Sequence, residues 1–186
     1  MTTTTPPPES AQRPDRDPAP QQPVLVIMGV SGSGKSTVAG ILAGQLGWDL
    51  EEGDDLHPAA NVAKMSAGIP LTDDDRWPWL KAIAAHIDSA REKGGHAIVS
   101  CSALKRVYRD ILVGARTDVR LVLLDGTKEE IFTRMRARKD HFMPPALLDS
   151  QFATLERPGA DENPIVVSID GTPEEIAMAI LRALPA

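Results

Sequence analysis

The feature that most constrains the fold is the segment GVSGSGKS at residues 29–36. It matches the pattern G-x-x-x-x-G-K-[ST] at every fixed position. An apolar run at 24–28 precedes it, and a segment whose apolar residues recur with helical spacing follows it. In a strand–loop–helix unit, the backbone N–H groups of such a loop converge on phosphate oxygens at the helix N-terminus. The motif therefore predicts an α/β domain with a nucleoside triphosphate site.

The chemistry of this loop gives its residues distinct roles. Glycines let the main chain wrap around a phosphate, Lys35 reaches the β- and γ-phosphates, and the Ser36 hydroxyl takes a coordination position on Mg²⁺. The residues expected to contact ATP are Gly29, Val30, Ser31, Gly32, Ser33, Gly34, Lys35, Ser36 and Thr37. Motors, switches and kinases all use this loop, so it does not identify the group that receives the phosphate.

The chain beyond the loop alternates β-branched apolar runs with longer segments of helical period. This alternation predicts βαβ units around a parallel sheet, in a three-layer α/β domain. The predicted strands are 24–28, 48–51, 97–101, 119–124 and 165–169. The predicted helices are 35–46, 58–67, 78–93, 104–115, 128–139, 144–156 and 173–184. Capping boxes at Thr127 and Thr172, each with a glutamate three residues later, predict two of the helix starts.

The first 23 residues differ in composition from the rest of the chain. They include seven prolines and no aromatic side chain, so they offer too little apolar surface to offset the entropy lost on ordering. We expect a disordered proline-rich tail over 1–23 and one domain over 24–186, a length that suits a single core.

Composition also bears on partners and location. The net charge of −6 has the wrong sign for a protein whose main partner is nucleic acid. No apolar run approaches the ~20 residues that cross a bilayer, so we expect no membrane partner. Cys101 is the single cysteine, and the N-terminus MTTTTPPPES has neither the basic nor the apolar part of an export signal. We therefore expect a cytoplasmic protein.

Polar residues follow the second predicted strand, at the sheet edge where open α/β folds bind ligands. The Asp54 carboxylate could accept a hydrogen bond from an attacking hydroxyl or bind Mg²⁺. A solvated loop acid is the alternative, and we favour that interpretation for Glu51 and Asp55. His57 is either a hydrogen-bonding group for the substrate or a polar residue at a helix start.

Two basic residues and one acid each have two interpretations. Arg76 suits a bidentate contact with a substrate carboxylate, or a structural ion pair with a nearby acid. Lys105 could contact phosphate or substrate. Asp125 follows the fourth predicted strand, where it would be either the second acid of a nucleotide site or a turn residue before the next helix.

The segment 134–139 contains four bases in six residues. Cations at a helix C-terminus favour the helix dipole, which explains some of this charge. The run is also typical of a lid that closes over a triphosphate, with Arg134 and Arg138 on one helix face, four residues apart. We expect both arginines to contact ATP and Arg138 to act in catalysis.

Four segments occur in a specific order: GDDLHP at 53–58, PLTDDDRWPWL at 70–80, CSALK at 101–105 and HF at 141–142. Together with the loop they resemble the gluconate kinases, P-loop enzymes that phosphorylate the 6-hydroxyl of D-gluconate. The resemblance covers residues 24–184. It implies a fold like that of nucleoside monophosphate kinases: a five-stranded parallel sheet in order 2-3-1-4-5, flanked by helices, with a helical lid. The family usually has aspartate at the position of Glu52, which leaves the role of this glutamate open.

The resemblance makes gluconate phosphorylation by ATP the first hypothesis. Lys35, Mg²⁺ and the lid arginines would stabilise the transferring phosphoryl group, and Asp54 would orient the hydroxyl and, with Ser36, bind Mg²⁺. The residues expected to contact gluconate are Asp54, His57, Arg76, Lys105 and His141. The alternatives are a kinase for shikimate or a nucleotide, and a nucleotide-dependent switch that has no small-molecule acceptor. The resemblance also favours a homodimer.

Overall fold

The computed structural model describes residues 24–137 and 145–184, and of residues 137 and 145–147 it describes only the main chain. The five strands are β1 (Val24–Met28), β2 (Asp49–Glu52), β3 (Ala97–Ser100), β4 (Val119–Asp125) and β5 (Ile165–Ser168). The helices of the described part are α1 (Lys35–Leu46), α2 (Ala59–Ser66), α3 (Asp73–Glu92), α4 (Arg106–Leu112), α5 (Lys128–Ala137), α6 (Pro145–Thr154) and α7 (Pro173–Ala183). None of these helices is both long enough and apolar enough to span a membrane.

The strands form one parallel sheet in the order β2-β3-β1-β4-β5, which confirms the predicted fold class. The carboxyl ends of parallel strands meet at one edge of a sheet, so the segments that follow β1, β2 and β3 become neighbours. The register of the strand pairs determines which residues lie side by side at this edge. Ser100 of β3 pairs with Ile27 of β1 on one side and with Glu52 of β2 on the other.

The sheet separates two apolar cores, as expected of a three-layer domain. Every residue of β1 is buried, because helices cover both faces of this central strand. Leu25 and Ile27 pack with buried residues of α1 and α7, whereas Val24, Val26 and Met28 pack with α3 and α4. This packing fixes the position of the loop that leaves β1 and of the helix that follows it.

Helix α3 begins five residues before the predicted start at Pro78. Its N-cap is Thr72, whose hydroxyl accepts from the Asp75 N–H at 3.3 Å while the Asp75 carboxylate accepts from the Thr72 N–H at 3.0 Å. Pro78 lies in the second turn, where its missing N–H removes one helical hydrogen bond. The capping box and the burial of Trp79 and Leu80 stabilise the turn in spite of that loss.

The other boundaries lie close to their predicted positions. The capping boxes at Thr127 and Thr172 are both present, with the hydroxyls accepting from Glu130 and Glu175 N–H groups at 3.2 Å. The largest difference is α4, which spans seven residues instead of the predicted 104–115. Lys105 is extended, with a ψ of 150°, and Gly114 has a φ of 49°, so neither residue can belong to the helix.

Candidate active site

A pocket of about 170 Å³ opens at the carboxyl edge of the sheet. It brings together residues from the loop after β1, from the end of β3, from the turn after β2 and from α5. Its lining residues are Ser31, Gly32, Gly34, Lys35, Ser36, Thr37, Asp54, Ser100, Cys101 and Met135. A larger cavity of about 410 Å³ lies near the start of β4 and contains none of the predicted site residues.

The loop at 29–34 has a backbone that requires glycine. Gly29 has a φ of 148°, and a Cβ there would lie 3.0 Å from the carbonyl oxygen of Leu124. Gly32 has a φ of 82°, and a Cβ there would lie 2.6 Å from the Met135 side chain. Any other residue at either position would strain the main chain and force its neighbours apart.

Lys35, the first residue of α1, folds back over this loop. Its ammonium donates to the carbonyl oxygens of Gly29 at 3.1 Å and Val30 at 3.0 Å. Burial lowers the pKa of Lys35, and the nearby carboxylates of Asp54 and Glu52 oppose that shift. The side-chain nitrogen of Lys35 therefore lies at the centre of a loop that could surround phosphate oxygens.

The Ser31 N–H of the same loop donates to the side-chain oxygen of Gln151, at 2.6 Å. Gln151 belongs to α6, more than a hundred residues along the chain, so this contact joins α6 directly to the phosphate-binding loop. The sequence analysis assigned Gln151 no role, because this contact depends on how α6 packs.

Glu52 is the site residue that the sequence analysis left without a role. One of its carboxylate oxygens accepts from the Ser36 hydroxyl at 3.0 Å and also from the Ser100 hydroxyl. The contact follows from the pairing of Glu52 with Ser100 in the sheet. Glu52 is the last residue of β2, which ends at the ligand-binding edge of the sheet. This position at a strand end is the feature from which a role in the site could have been predicted. By contrast, Asp125 forms an ion pair with Arg157 at 2.6 Å, so the acid beside Ser36 comes from β2 and not from β4.

Asp54 and His57 lie at the two ends of the turn that follows β2. The Asp54 side chain is 85% exposed at the pocket, with one oxygen 4.0 Å from Nε2 of His57. The His57 side chain is only 3% exposed and stacks on Trp79, with ring centroids 4.1 Å apart. Burial lowers the pKa of His57, an effect that Asp54 opposes. The carboxylate is thus open to a ligand, while the imidazole is held against α3.

Arg76 and Lys105 both lie near the ring of Tyr108, with the Arg76 Cζ at 5.9 Å and the Lys105 ammonium at 5.6 Å from its centroid. The Lys105 ammonium is 2.8 Å from the Asp73 carboxylate, which also accepts from the Tyr108 hydroxyl. These hydrogen bonds lower the pKa of Asp73. Arg76 forms no ion pair with any residue of the described ranges 24–137 and 145–184, so the predicted structural ion pair is not found there.

The predicted lid residues fall into two groups. The Arg134 guanidinium donates to the carbonyl oxygens of Gly171, at 3.0 Å, and Ile169. It therefore contacts the connection between β5 and α7. Arg138 and His141 lie outside the described residues.

Sheet order, loop and pocket define a class of protein. A parallel sheet in the order 2-3-1-4-5, with a G-x-x-x-x-G-K-[ST] loop after its central strand, is the architecture of the P-loop small-molecule kinases. A family model described as an AAA domain matches residues 24–158.

Comparison with known proteins identifies the family within this class. The chain is 52% identical over 161 residues to a gluconokinase of Gluconobacter oxydans, covering 85% of this chain and 89% of the relative. It is 50% identical over 142 residues to a thermosensitive gluconokinase of Escherichia coli, covering 76% of each. The crystal structure of a gluconokinase from Sinorhizobium meliloti superposes with a TM-score of 0.79 at 45% identity, covering 86% of this chain and 90% of that one. The chain belongs to the gluconokinase family.

Proposed function

We propose that this protein transfers the γ-phosphoryl group of ATP to the 6-hydroxyl of D-gluconate, giving 6-phospho-D-gluconate and ADP. The supporting observation is that one pocket contains the loop lysine, Ser36 and an exposed aspartate, with the Glu52 carboxylate bound to the Ser36 hydroxyl, in a chain 52% identical to a gluconokinase. Phosphoryl transfer needs little covalent chemistry from the protein, so catalysis by this set is positioning together with electrostatic stabilisation.

ATP binds with its phosphates in the loop at 29–37. The loop N–H groups and the N-terminus of α1 favour negative charge there. Lys35 moves from the carbonyls of Gly29 and Val30 to the β- and γ-phosphates, where it offsets the charge that develops during transfer. Arg138 completes this half of the site by contacting the transferring group, while Arg134, bound to the carbonyl oxygens of Ile169 and Gly171, holds α5 in place.

The residues beside the loop fit Mg²⁺. The Ser36 hydroxyl and the carboxylates of Glu52 and Asp54 supply the oxygen ligands that this ion prefers, and one or two carboxylates suffice where phosphates provide the rest. When bound, the ion neutralises charge on the phosphates. Because Glu52 already accepts from Ser36, it holds that hydroxyl at the mouth of the loop.

Gluconate binds between the loop and α3. Asp54 orients the 6-hydroxyl and accepts its proton, since this carboxylate is exposed at the pocket. Arg76 binds the substrate carboxylate, because its guanidinium is half-buried and has no acid partner in the described part of the chain. Lys105 borders the same place, although its ammonium is already paired with Asp73. His141 completes the direct contacts, whereas the buried His57 ring acts on the substrate through the neighbouring Asp54 carboxylate.

We place the reaction in the cytoplasm, the compartment of the ATP that it consumes. The homodimer stays a prediction, which light scattering on the purified protein would check.

ADP release with a panel of acceptors tests the proposed function. We expect rapid ATP-dependent turnover with gluconate, and turnover near the level without acceptor for shikimate and nucleoside monophosphates. Slow hydrolysis that no acceptor accelerates would identify a nucleotide-dependent switch. Turnover confined to shikimate or a nucleotide would identify a kinase with a different acceptor.

A further inference from the structure

The side chain of Asn61 is buried between two elements of the acceptor side. Asn61 lies on α2 and is only 3% exposed. Its amide nitrogen donates to the carbonyl oxygen of Asp75 on α3, at 2.7 Å, and lies 3.3 Å from Nδ1 of His57. A carbonyl oxygen can only accept, so the atom that faces Asp75 must be the NH₂ group of the amide.

This assignment determines the state of the His57 ring. An NH₂ group has two hydrogens and no acceptor capacity, and here one hydrogen points to Asp75. The other points to Nδ1 of His57, which must therefore accept and has no hydrogen of its own. In a neutral imidazole the single N–H is then on Nε2, the nitrogen that faces the Asp54 carboxylate at 4.0 Å.

A second contact holds the plane of the same ring. Trp79 of α3 stacks on the imidazole with an angle of 14° between the rings, and its indole N–H donates to the carbonyl oxygen of Gly53 at 2.6 Å. Gly53 directly precedes Asp54. Helix α3 thus supports both the ring and the main chain of the turn, while Asn61 supplies the donor that faces Nδ1 of the ring.

We propose that Asn61 is a positioning residue that holds His57 in the Nε2–H tautomer. In this state His57 presents an N–H to Asp54 and has no free lone pair on that side. It orients the carboxylate but cannot accept the proton of the acceptor hydroxyl, which goes to Asp54. The inference deepens the proposed function and rests on it for the identity of the acceptor.

The ¹⁵N NMR spectrum of histidine-labelled protein without ligands tests the tautomer independently of activity. At a pH where the imidazole is neutral, we expect a protonated Nε2 and an unprotonated Nδ1 for His57, with the signals assigned by their loss in His57→Gln. In Asn61→Ala the two tautomers should become mixed. A wild-type spectrum with hydrogen on Nδ1, or with both tautomers equally populated, would overturn the proposal even if the variant failed to fold.

Kinetics test whether the tautomer matters to the reaction. Asn61→Ala should lower kcat with gluconate by roughly 10- to 100-fold and leave the KM for ATP unchanged, since a misplaced reacting group costs about this much. In a His57→Gln background, Asn61→Ala should have little further effect, because the ring through which it acts is gone. Equal losses in both backgrounds would show that Asn61 has only a structural role.

Lys64→Met is the matched control. Lys64 lies on the same helix and forms an ion pair with the Asp75 side chain at 2.6 Å, but it does not contact His57. We expect the wild-type spectrum and near wild-type kcat; a kcat loss equal to that of Asn61→Ala would point to general loosening of α2 and contradict the proposal. If wild-type protein has no turnover with gluconate, the proposed function fails, and the spectrum still decides the tautomer.

Discussion

At the scale of single residues, the proposed reaction depends on a few charged and polar side chains around the loop at 29–36. The loop at 29–36 predicted a pocket, and the structure places Lys35, Ser36 and Asp54 together in it. Glu52 could not be assigned in this way, because its contact with Ser36 depends on the register between β2 and β3. The partners of Arg134 could not be predicted from the sequence either, since they lie 35 and 37 residues further along the chain.

Glu52→Gln tests the acid beside Ser36. The substitution keeps the shape and removes the charge, so we expect kcat to fall by roughly 10²- to 10³-fold, the size of other electrostatic contributions in active sites. Glu52→Asp should recover much of the loss at high Mg²⁺ concentration. Asp49→Asn, at the exposed start of the same strand, serves as the control. Normal kcat in Glu52→Gln would show that this carboxylate only holds two serines in place.

Lys35→Met tests the cation in the loop. It keeps most of the side-chain length and removes the charge, so we expect kcat to fall by roughly 10³-fold or more with little change in melting temperature. Circular dichroism would confirm that the variant is folded. Wild-type kcat in a folded Lys35→Met protein would place the phosphate site elsewhere.

Arg76→Gln tests recognition of the substrate carboxylate. Loss of a charged hydrogen-bonding partner costs about 1.5–3 kcal/mol, so the KM for gluconate should rise roughly 10- to 100-fold. The KM for ATP should not change, because the two substrates bind on different sides of the pocket. An equal rise in both KM values would contradict a specific contact with gluconate.

At the scale of the elements, local capping signals predicted helix starts better than proline did. Thr127 and Thr172 begin α5 and α7 as expected, since a capping box is a contact between neighbours in sequence. The helix predicted from Pro78 begins five residues earlier, because Thr72 and Asp75 form a capping box ahead of the proline. Aspartate replaces the usual glutamate in that box, which made it harder to recognise.

Arg134→Ala distinguishes a structural role of α5 from a catalytic one. The guanidinium joins α5 to the main chain after β5, so we expect a loss of about 1–2 kcal/mol in the free energy of unfolding, measured by urea denaturation. Its effect on kcat should be smaller than that of Arg138→Ala. Arg136→Ala, four residues from Phe132 on the same helix, is the control. A large loss of kcat without loss of stability would assign Arg134 to the phosphates.

At the scale of the whole molecule, the alternation of strands and helices predicted a parallel three-layer domain. The order of the strands, however, was an expectation from the resemblance, because periodicity does not say which strands are neighbours. Side chains that join distant segments are equally invisible in sequence. The buried Arg109, for example, forms an ion pair at 2.6 Å with Glu162, which links α4 to the segment before β5.

Ion pairs between segments also predict how stability depends on pH. Hydrogen bonds from Arg116 lower the pKa of Asp88 to about 2, and those from Lys64 lower the pKa of Asp75 to about 2. A carboxyl whose pKa is lowered in the folded state contributes stability above its unfolded pKa, near 4, and loses it as pH falls towards 2. Asp88→Asn should therefore be less stable than wild type at pH 7, with the difference shrinking between pH 5 and 2. A difference in urea midpoint that stays constant over this range would contradict the assignment.

The most direct measurement is the ³¹P NMR spectrum of the product formed from ATP, Mg²⁺ and D-gluconate. Transfer to the 6-hydroxyl predicts one new phosphomonoester signal, coupled to the two protons on C6, that grows as the γ-phosphate signal of ATP disappears. A phosphomonoester coupled to a single proton would place the phosphate on another carbon. Inorganic phosphate in place of any ester would contradict the proposed kinase activity itself.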